Sequence, residues 1–333
     1  MTTVYPYKKI LVTGGCGFIG SSYIQNILTN YPEVEIQNID LMTYATSQKT
    51  LGLFTGYKKF LHAQIDIADY EAVKEVAESF TPNLIVNFAA ESHVDNSING
   101  AQPFIDSNII GTFNLLEISK NLMHNKKFLF HQISTDEVFG DLSADEPAFK
   151  ETTPYEPSSP YSASKASADM LVSAWGRTFK IPYMITNCSN NFGPRQYSEK
   201  LIPKIIFNAV NGIDIPIYGN GLNVRDWIYV DEHTNTIIEL HKNLTNSDRF
   251  NIGGDNEITN LDLVNNIIQI LETKYQLQPK IVFVEDRKGH DRRYAVDMSK
   301  TDEFLQTNGH GNFQQNLEET IAWYIENFDW WDV

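Results

Sequence analysis

Only two cysteines, Cys16 and Cys188, occur in the 333 residues, far apart and with neither disulfide-like nor metal-like spacing. A disulfide framework and a cysteine-rich metal centre are therefore excluded, and no metal site is expected. No apolar run reaches the roughly 20 residues that a membrane span requires. "MTTVYPYKKILVTGG" lacks the basic-then-apolar order of a secretory leader. Cations are scarce: 26 Lys and Arg stand against 42 Asp and Glu, a net charge of −16. Phosphate-backbone binding needs clustered Lys and Arg, so nucleic acid is not expected as a partner. There is no Ser- or Gly-rich linker, no repeat and no low-complexity stretch. These absences describe a cytoplasmic globular protein without a membrane partner.

What is present suits a large core, with 42% hydrophobic and 12% aromatic residues. At roughly 150 residues per domain the length allows about two domains. Apolar strand patterns fall at residues 9–15, 34–40, 58–66, 83–90, 127–134 and 182–189. Helix-length stretches lie between them, residues 69–80 and 104–121 among them. Near-continuous apolar strands alternating with helices predict a parallel sheet covered on both faces. Beyond residue 190 the pattern loosens into helices at 201–211, 231–243, 260–275 and 316–328. Short strands lie between them at "IPIYG", "RFNIGG" and "IVFVE". The expectation is an α/β protein: a first domain over residues 1–190, with segments returning from the second half, and a smaller α/β domain over 191–333.

The first strand runs into "VTGGCGFIGSSYIQNIL". Gly14, Gly17 and Gly20 have the spacing that lets a backbone turn tightly and approach a pyrophosphate, with a helix amino terminus just beyond. Asp40 closes the second strand 20 residues after Gly20, where an acid can bind the adenosine ribose hydroxyls. A lone strand-end Asp is ordinarily a turn residue, but the loop upstream changes its meaning. "DLMTYA" offers no arginine for a 2′-phosphate, so NAD is expected over NADP. The fold expected is a Rossmann-type doubly wound sheet.

Two further clusters carry chemistry. "SPYSASK" sets Tyr161 and Lys165 four apart at a helix start, on one face. A phenol is a weak base at neutral pH unless its anion is stabilised, as a nearby ammonium can do. "HQISTDEVFG" ends an apolar strand on Thr135, Asp136 and Glu137. Adjacent carboxylates resist burial unless something uses them.

At these residues the chain resembles the extended short-chain dehydrogenase/reductases that act on nucleotide sugars. "TGGCGFIG", "NFAAESHVDNSI", "STDEVFG", "YSASK", "SNNFGP" and "GHDRRY" follow that family's order over nearly the whole chain. The Asp-Glu pair after the threonine resembles its 4,6-dehydratase branch. The resemblance implies a lyase that oxidises C4 of dTDP-glucose, eliminates water across C5 and C6, and returns hydride to C6. UDP-glucose, or an epimerase reaction on a related sugar, is the alternative; a non-catalytic NAD-binding regulator would have no need of these side chains together. The 4-keto-6-deoxy product belongs to deoxysugar biosynthesis, that of rhamnose among others, and NAD should remain bound through purification.

The same resemblance assigns roles. Tyr161 is the base for the C4 hydroxyl, Lys165 assists it and orients the ribose, and Thr135 bonds the C4 oxygen. Asp136 is the acid at C6 and Glu137 the base at C5. The cofactor is held by Gly14, Gly17, Phe18, Ile19, Gly20, Asp40, Leu41, Met42 and Thr43. Asp66 and Ile67 would touch adenine, while Phe88, Ala89, Ala90, Ser92, Ser107 and Asn191 line the rest of its path with Tyr161 and Lys165. Ser92, Thr135, Asn190, Lys200, Leu201, Pro216, Tyr218, Arg225, Asn260, Arg287 and His290 form the substrate pocket. Arg225 and Arg287 are the expected diphosphate clamps, since guanidinium groups match phosphate oxygens. Three positions depart from the family pattern: Asn96 for arginine, Ser198 for proline and Phe139 for tyrosine. Residues 104–122 and 161–179 carry apolar residues at helical spacing, and relatives pair such helices into a homodimer.

Overall fold

The computed structural model describes residues 4–123, 127–287, 289–307 and 311–330. Seven parallel strands form the main sheet: β1 (Lys9–Thr13), β2 (Glu35–Asp40), β3 (Phe60–Gln64), β4 (Leu84–Asn87), β5 (Leu129–Thr135), β6 (Tyr183–Cys188) and, after three intervening strands of other sheets, β10 (Asp248–Ile252). Their order is β10-β6-β5-β4-β1-β2-β3. The direction of winding reverses between β1 and β4, and ligands of such sheets bind at that switch, beyond the strands' carboxyl ends. The expected parallel sheet is present, and "RFNIGG" supplies its last strand from the second half of the chain.

Alternation along each strand divides the core. Ile10, Val12, Leu84 and Val86 face the helices Phe18–Asn30 and Val230–Asn243. Leu11, Ile85, Phe130 and Ile185 face Tyr70–Phe80, Thr112–Leu122 and Pro160–Phe179. The last of these begins with a capping box: Ser159 and Ser162 satisfy each other's backbone amides, and Pro160 occupies the first helical position. Among the described residues no helix is long and apolar enough to cross a membrane.

The remaining strands, β7 (Asn190–Phe192), β8 (Ile215–Tyr218), β9 (Val224–Tyr229), β11 (Glu257–Thr259) and β12 (Ile281–Val284), build two small sheets, β11-β9-β7 and β12-β8. They pack with the helices Leu201–Val210, Asn260–Tyr275 and Phe313–Glu326 around a separate core including Ile205, Trp227, Leu263 and Leu317. The sequence reading lacked β7, β9 and β11, because "NNF", "VRDWIY" and "EIT" are short and interrupted by polar residues.

The expected helix over 104–121 begins differently. Residues Ile105–Gly111 form a π-helical turn before the α-helix Thr112–Leu122. Gly111 lets Ile67 pack against its end, because a methyl group there would collide with the Ile67 side chain. Such turns recur at functional sites, and this one carries Asn108 and Ser107 toward the end of β4.

A buried polar chain crosses the Phe18–Asn30 face. His131 Nδ1 meets His241 Nε2 at 2.9 Å, and His241 Nδ1 meets the Tyr5 hydroxyl at 2.6 Å. Burial holds His131 well below its ordinary range and pushes His233 and His241 down to about 3. The unfolded chain takes up these protons near pH ~6.5, so the three histidines oppose folding increasingly as pH falls from there toward 3. Their ring resonances should stay in the neutral form from pH 8 down to about 5; a midpoint near ~6.5 for any of them would show that ring to be solvated.

Candidate functional site

A cavity of about 500 Å³ opens at the switch point. Its walls are the segments following each of β1 to β6, joined by Gln196, Tyr197, Glu199 and Lys200. The glycine loop follows β1. Gly14 has φ +69°, and a methyl group on it would stand 2.6 Å from the Ala89 nitrogen. Gly17 caps the helix Phe18–Asn30 without any side-chain hydrogen bond, leaving amide groups free to face an anion. A methyl group at Gly20 would strike the Gly14 carbonyl.

Asp40 is buried, and its two oxygens accept the Cys16 and Met42 amides, each at 2.8 Å. Burial raises its carboxyl pKa, and those two hydrogen bonds oppose the shift. The carboxylate retains lone pairs toward the cavity, where it lies beside Leu41, Thr43, Asp66 and Ile67. Met42 is not in the wall; its amide closes the turn on Asp40 with φ +59°. The Asp66 carboxylate also accepts the Ala68 amide at 2.9 Å.

Phe18, Ile19, Phe88, Ala89, Ala90, Ser92, Ser107, Asn190 and Asn191 all line the same cavity. So do Thr135, Asp136, Glu137, Tyr161, Lys165 and Lys200, which places the five expected catalytic side chains with the glycine loop. Thr135 ends β5 and caps the short 3₁₀ turn Asp136–Phe139, accepting the Glu137 amide at 3.3 Å and donating to Asp136 Oδ1 at 3.1 Å.

The two acids differ. Burial, then Glu137 and Asp226, push the Asp136 carboxyl well above the usual carboxylate range, and its Oδ2 has no partner. Burial also raises Glu137, but Arg287, Arg225 and Lys200 pull it back. Both carboxyl groups are shifted upward, Asp136 the more strongly, so Asp136 keeps its proton to higher pH than Glu137.

Tyr161 is buried, which with Glu137 drives its phenol well up. Lys165 directs its ammonium to the Ile133 carbonyl at 2.7 Å, with no bond to the Tyr161 oxygen. The shared helix face therefore leads to a common cavity and not to a direct contact.

Of the expected substrate residues, Leu201, Pro216, Tyr218, Arg225, Asn260, Arg287 and His290 lie outside these walls. Arg225 is committed to structure: it donates to the carbonyls of Val224 at 2.7 Å and Asp291 at 2.9 Å, and its guanidinium lies 4.2 Å from the Tyr294 ring centre. Arg287 is freer, with an unpartnered Nε and only a 3.9 Å approach to Asp95. Asp95 also receives the Tyr218 hydroxyl at 3.3 Å. His290 pairs with Asp286 at 2.6 Å, and Lys200 donates to the Ser92 carbonyl at 2.8 Å. Pro216 stands on β8, Leu201 begins its helix, and the Asn260 side-chain oxygen has no partner.

The three departures have distinct surroundings. Asn96 donates to the Tyr44 hydroxyl at 3.1 Å. Ser198 borders a small apolar cavity with Pro203, Phe207 and Tyr324. Phe139 packs against Phe149 and Tyr155.

Sequence reasoning missed Asn108. From the π turn it pairs with Glu91 through both backbone groups, at 2.9 and 3.0 Å, and donates to Ser164 at 2.8 Å, so it fixes the loop after β4. A polar residue within an apolar helical stripe was the available signal. Glu199 also enters the wall unforeseen.

A doubly wound sheet with a glycine loop, a Tyr–Lys helix and a strand-end acid pair defines a nucleotide-sugar-modifying short-chain dehydrogenase/reductase. The chain belongs to the family described as GDP-mannose 4,6 dehydratase, which matches residues 11–320. It is similar to a dTDP-glucose 4,6-dehydratase of Haemophilus influenzae, 45% identical over 96% of this chain and 98% of that protein. Among solved structures it is similar to a dTDP-glucose 4,6-dehydratase from Bacillus anthracis in complex with NAD (TM-score 0.88, 40% identity, 98% of this chain and 99% of that one). The enzyme of the same name from Streptomyces venezuelae, also with NAD bound, gives a TM-score of 0.90 at 36% identity, covering 97% and 99% of the two chains.

Proposed function

We propose that the chain is an NAD-dependent dTDP-glucose 4,6-dehydratase, a carbon–oxygen lyase that forms dTDP-4-keto-6-deoxyglucose and water. The observation that carries this reading is the Asp136–Glu137 pair, two adjacent carboxyl groups in the cavity that also holds Tyr161 and the glycine loop, with Asp136 shifted upward more strongly than Glu137. The names of the relatives at 45% and 40% identity support the substrate.

The residues present fit NAD. The crowded glycine turn, the uncapped helix end and the buried Asp40 match a pyrophosphate and a ribose with free hydroxyls. Bound there, NAD supplies the hydride acceptance at C4 and the hydride return at C6. Tyr161 takes the C4 hydroxyl proton, and Thr135 hydrogen-bonds the oxygen. Ketone formation makes the C5 proton acidic; Glu137 removes it and gives a proton back to C5 once C6 has received the returning hydride. Asp136, held protonated, gives its proton to the departing C6 hydroxyl.

On the substrate side, Arg287 is the better diphosphate ligand, because Arg225 spends its donors on carbonyls. Arg225 then serves by holding the loop at Asp291 and by moderating Glu137. Asn190, Lys200, Leu201, Pro216, Tyr218, Asn260 and His290 complete the nucleotide side. Two buried free thiols, Cys16 and Cys188, suit a reducing cytoplasm.

A second copy of the chain is the expected partner. Ile105, Ile110, Phe113, Met170 and Phe179 are exposed on the two helical stretches noted in the sequence. Met170→Glu, at the most exposed of these, should shift light scattering from dimer to monomer; an unchanged mass distribution for Met170→Glu and Phe113→Glu together would refute this pairing.

The deciding experiment incubates the protein, without added cofactor, with dTDP-glucose and separately with UDP-glucose. Expected is a product lighter by one water, with a C6 methyl and a C4 ketone, formed faster from dTDP-glucose. The two bases differ by one methyl group, worth only about 1–3 kcal/mol. Unchanged mass with both sugars after NAD is added would overturn the reading.

A further inference from the structure

Asp169 is a fully enclosed carboxylate one turn beyond Lys165 on the helix Pro160–Phe179. A buried carboxylate is costly unless it is compensated. Its Oδ2 accepts the Ser134 hydroxyl at 2.7 Å, the Tyr155 hydroxyl at 2.7 Å and the Asn187 amide at 3.4 Å. Its Oδ1 has no hydrogen-bond partner. Asn187 donates in turn to the Thr135 carbonyl at 3.0 Å, while Lys165 holds the Ile133 carbonyl at 2.7 Å. Three consecutive residues of β5 are thus tied to β6 and to the Tyr161 helix through one carboxylate, one amide and one ammonium.

We infer that Asp169 is a positioning residue of the reaction: it fixes the end of β5, from which Thr135, Asp136 and Glu137 project, relative to Tyr161. The inference rests on the dehydratase reading. Lys165 is faced by Asp169 on its own helix, by Cys188 on β6 and by the Ile133 carbonyl on β5. Asp169 is faced by Arg249 of β10, whose guanidinium lies 4.8 Å from the Tyr155 ring centre, besides Lys165, Tyr155, Ser134 and Asn187. Burial pushes Lys165 down, and Asp169 is the larger of the two influences that push it up. Without that charge Lys165 loses its proton at lower pH, and the cation that supports Tyr161 is lost with it.

The test uses Asp169→Asn holoenzyme and follows hydride transfer from dTDP-glucose by reduced-nicotinamide absorbance across pH. The alkaline limb of the rate should move to lower pH by about one unit or more. KM and the affinity for dTDP should be unchanged. Tyr155→Phe keeps the carboxylate and removes one tether; it should slow hydride transfer several-fold at unchanged KM, with the limb in place. An unmoved limb in Asp169→Asn, with only thermal stability reduced, overturns the inference. Should that variant not fold, a wild-type rate in Tyr155→Phe overturns it instead. A wild-type protein that neither reduces its nicotinamide nor releases water from dTDP-glucose would defeat the dehydratase reading itself, an outcome distinct from both.

Discussion

Glu137→Gln should lower turnover of dTDP-glucose by about 10²–10⁴-fold, the usual cost of losing a general base, while leaving oxidation at C4 intact. The amide fills the same space and cannot accept the C5 proton. Reduced nicotinamide should therefore appear on adding substrate and persist, with the sugar at the mass of a 4-ketone that has not lost water. Glu137 is suited to this step because Arg287, Arg225 and Lys200 counter the effect of burial on its carboxyl. Asp136→Asn should stall at a neighbouring point, since it has no proton to give the C6 oxygen. Exchange of the C5 proton with solvent distinguishes the two: Asp136→Asn should still exchange it and Glu137→Gln should not. Turnover of Glu137→Gln within a few-fold of wild type would show that another group removes the C5 proton.

Tyr161→Phe should fail one step earlier. Loss of its hydroxyl removes the acceptor for the C4 proton, with an expected rate loss of about 10²–10⁴-fold and no burst of reduced nicotinamide. The fold should tolerate the change, because the ring keeps its edge-on contact with Phe104 at 6.3 Å between centroids. NAD content after purification should match wild type, since the glycine loop and Asp40 are untouched. A wild-type burst of reduced nicotinamide in Tyr161→Phe would require another base. The phenol is not poised by a direct lysine contact: Lys165 bonds to Ile133, and Glu137 with burial keeps the phenol high. Positive charge on the bound nicotinamide ring and on Lys165 must therefore act through space, which makes the charge state of Lys165 consequential.

The residues written next to one another along the chain determined much of this protein. The glycine spacing, Asp40 at a strand end, the Thr-Asp-Glu run and the Tyr–Lys spacing are local patterns legible in the sequence, and the family resemblance implied their roles. Apolar periodicity likewise indicated the parallel sheet, because a strand buried on both faces has to be apolar throughout. Tertiary structure alone decided which groups meet across the chain. Residues 248–252 return to complete the main sheet, and Arg225 is drawn onto the carbonyls of Val224 and Asp291 while Arg287 stays freer. Asp169 reaches Ser134 and Tyr155 from a helix face that its sequence neighbours do not single out. The different surroundings of Asp136 and Glu137 are decided there as well. Two adjacent acids in a sequence are alike until burial and distant cations move their ionisation apart, and those influences come from residues brought close only by the fold.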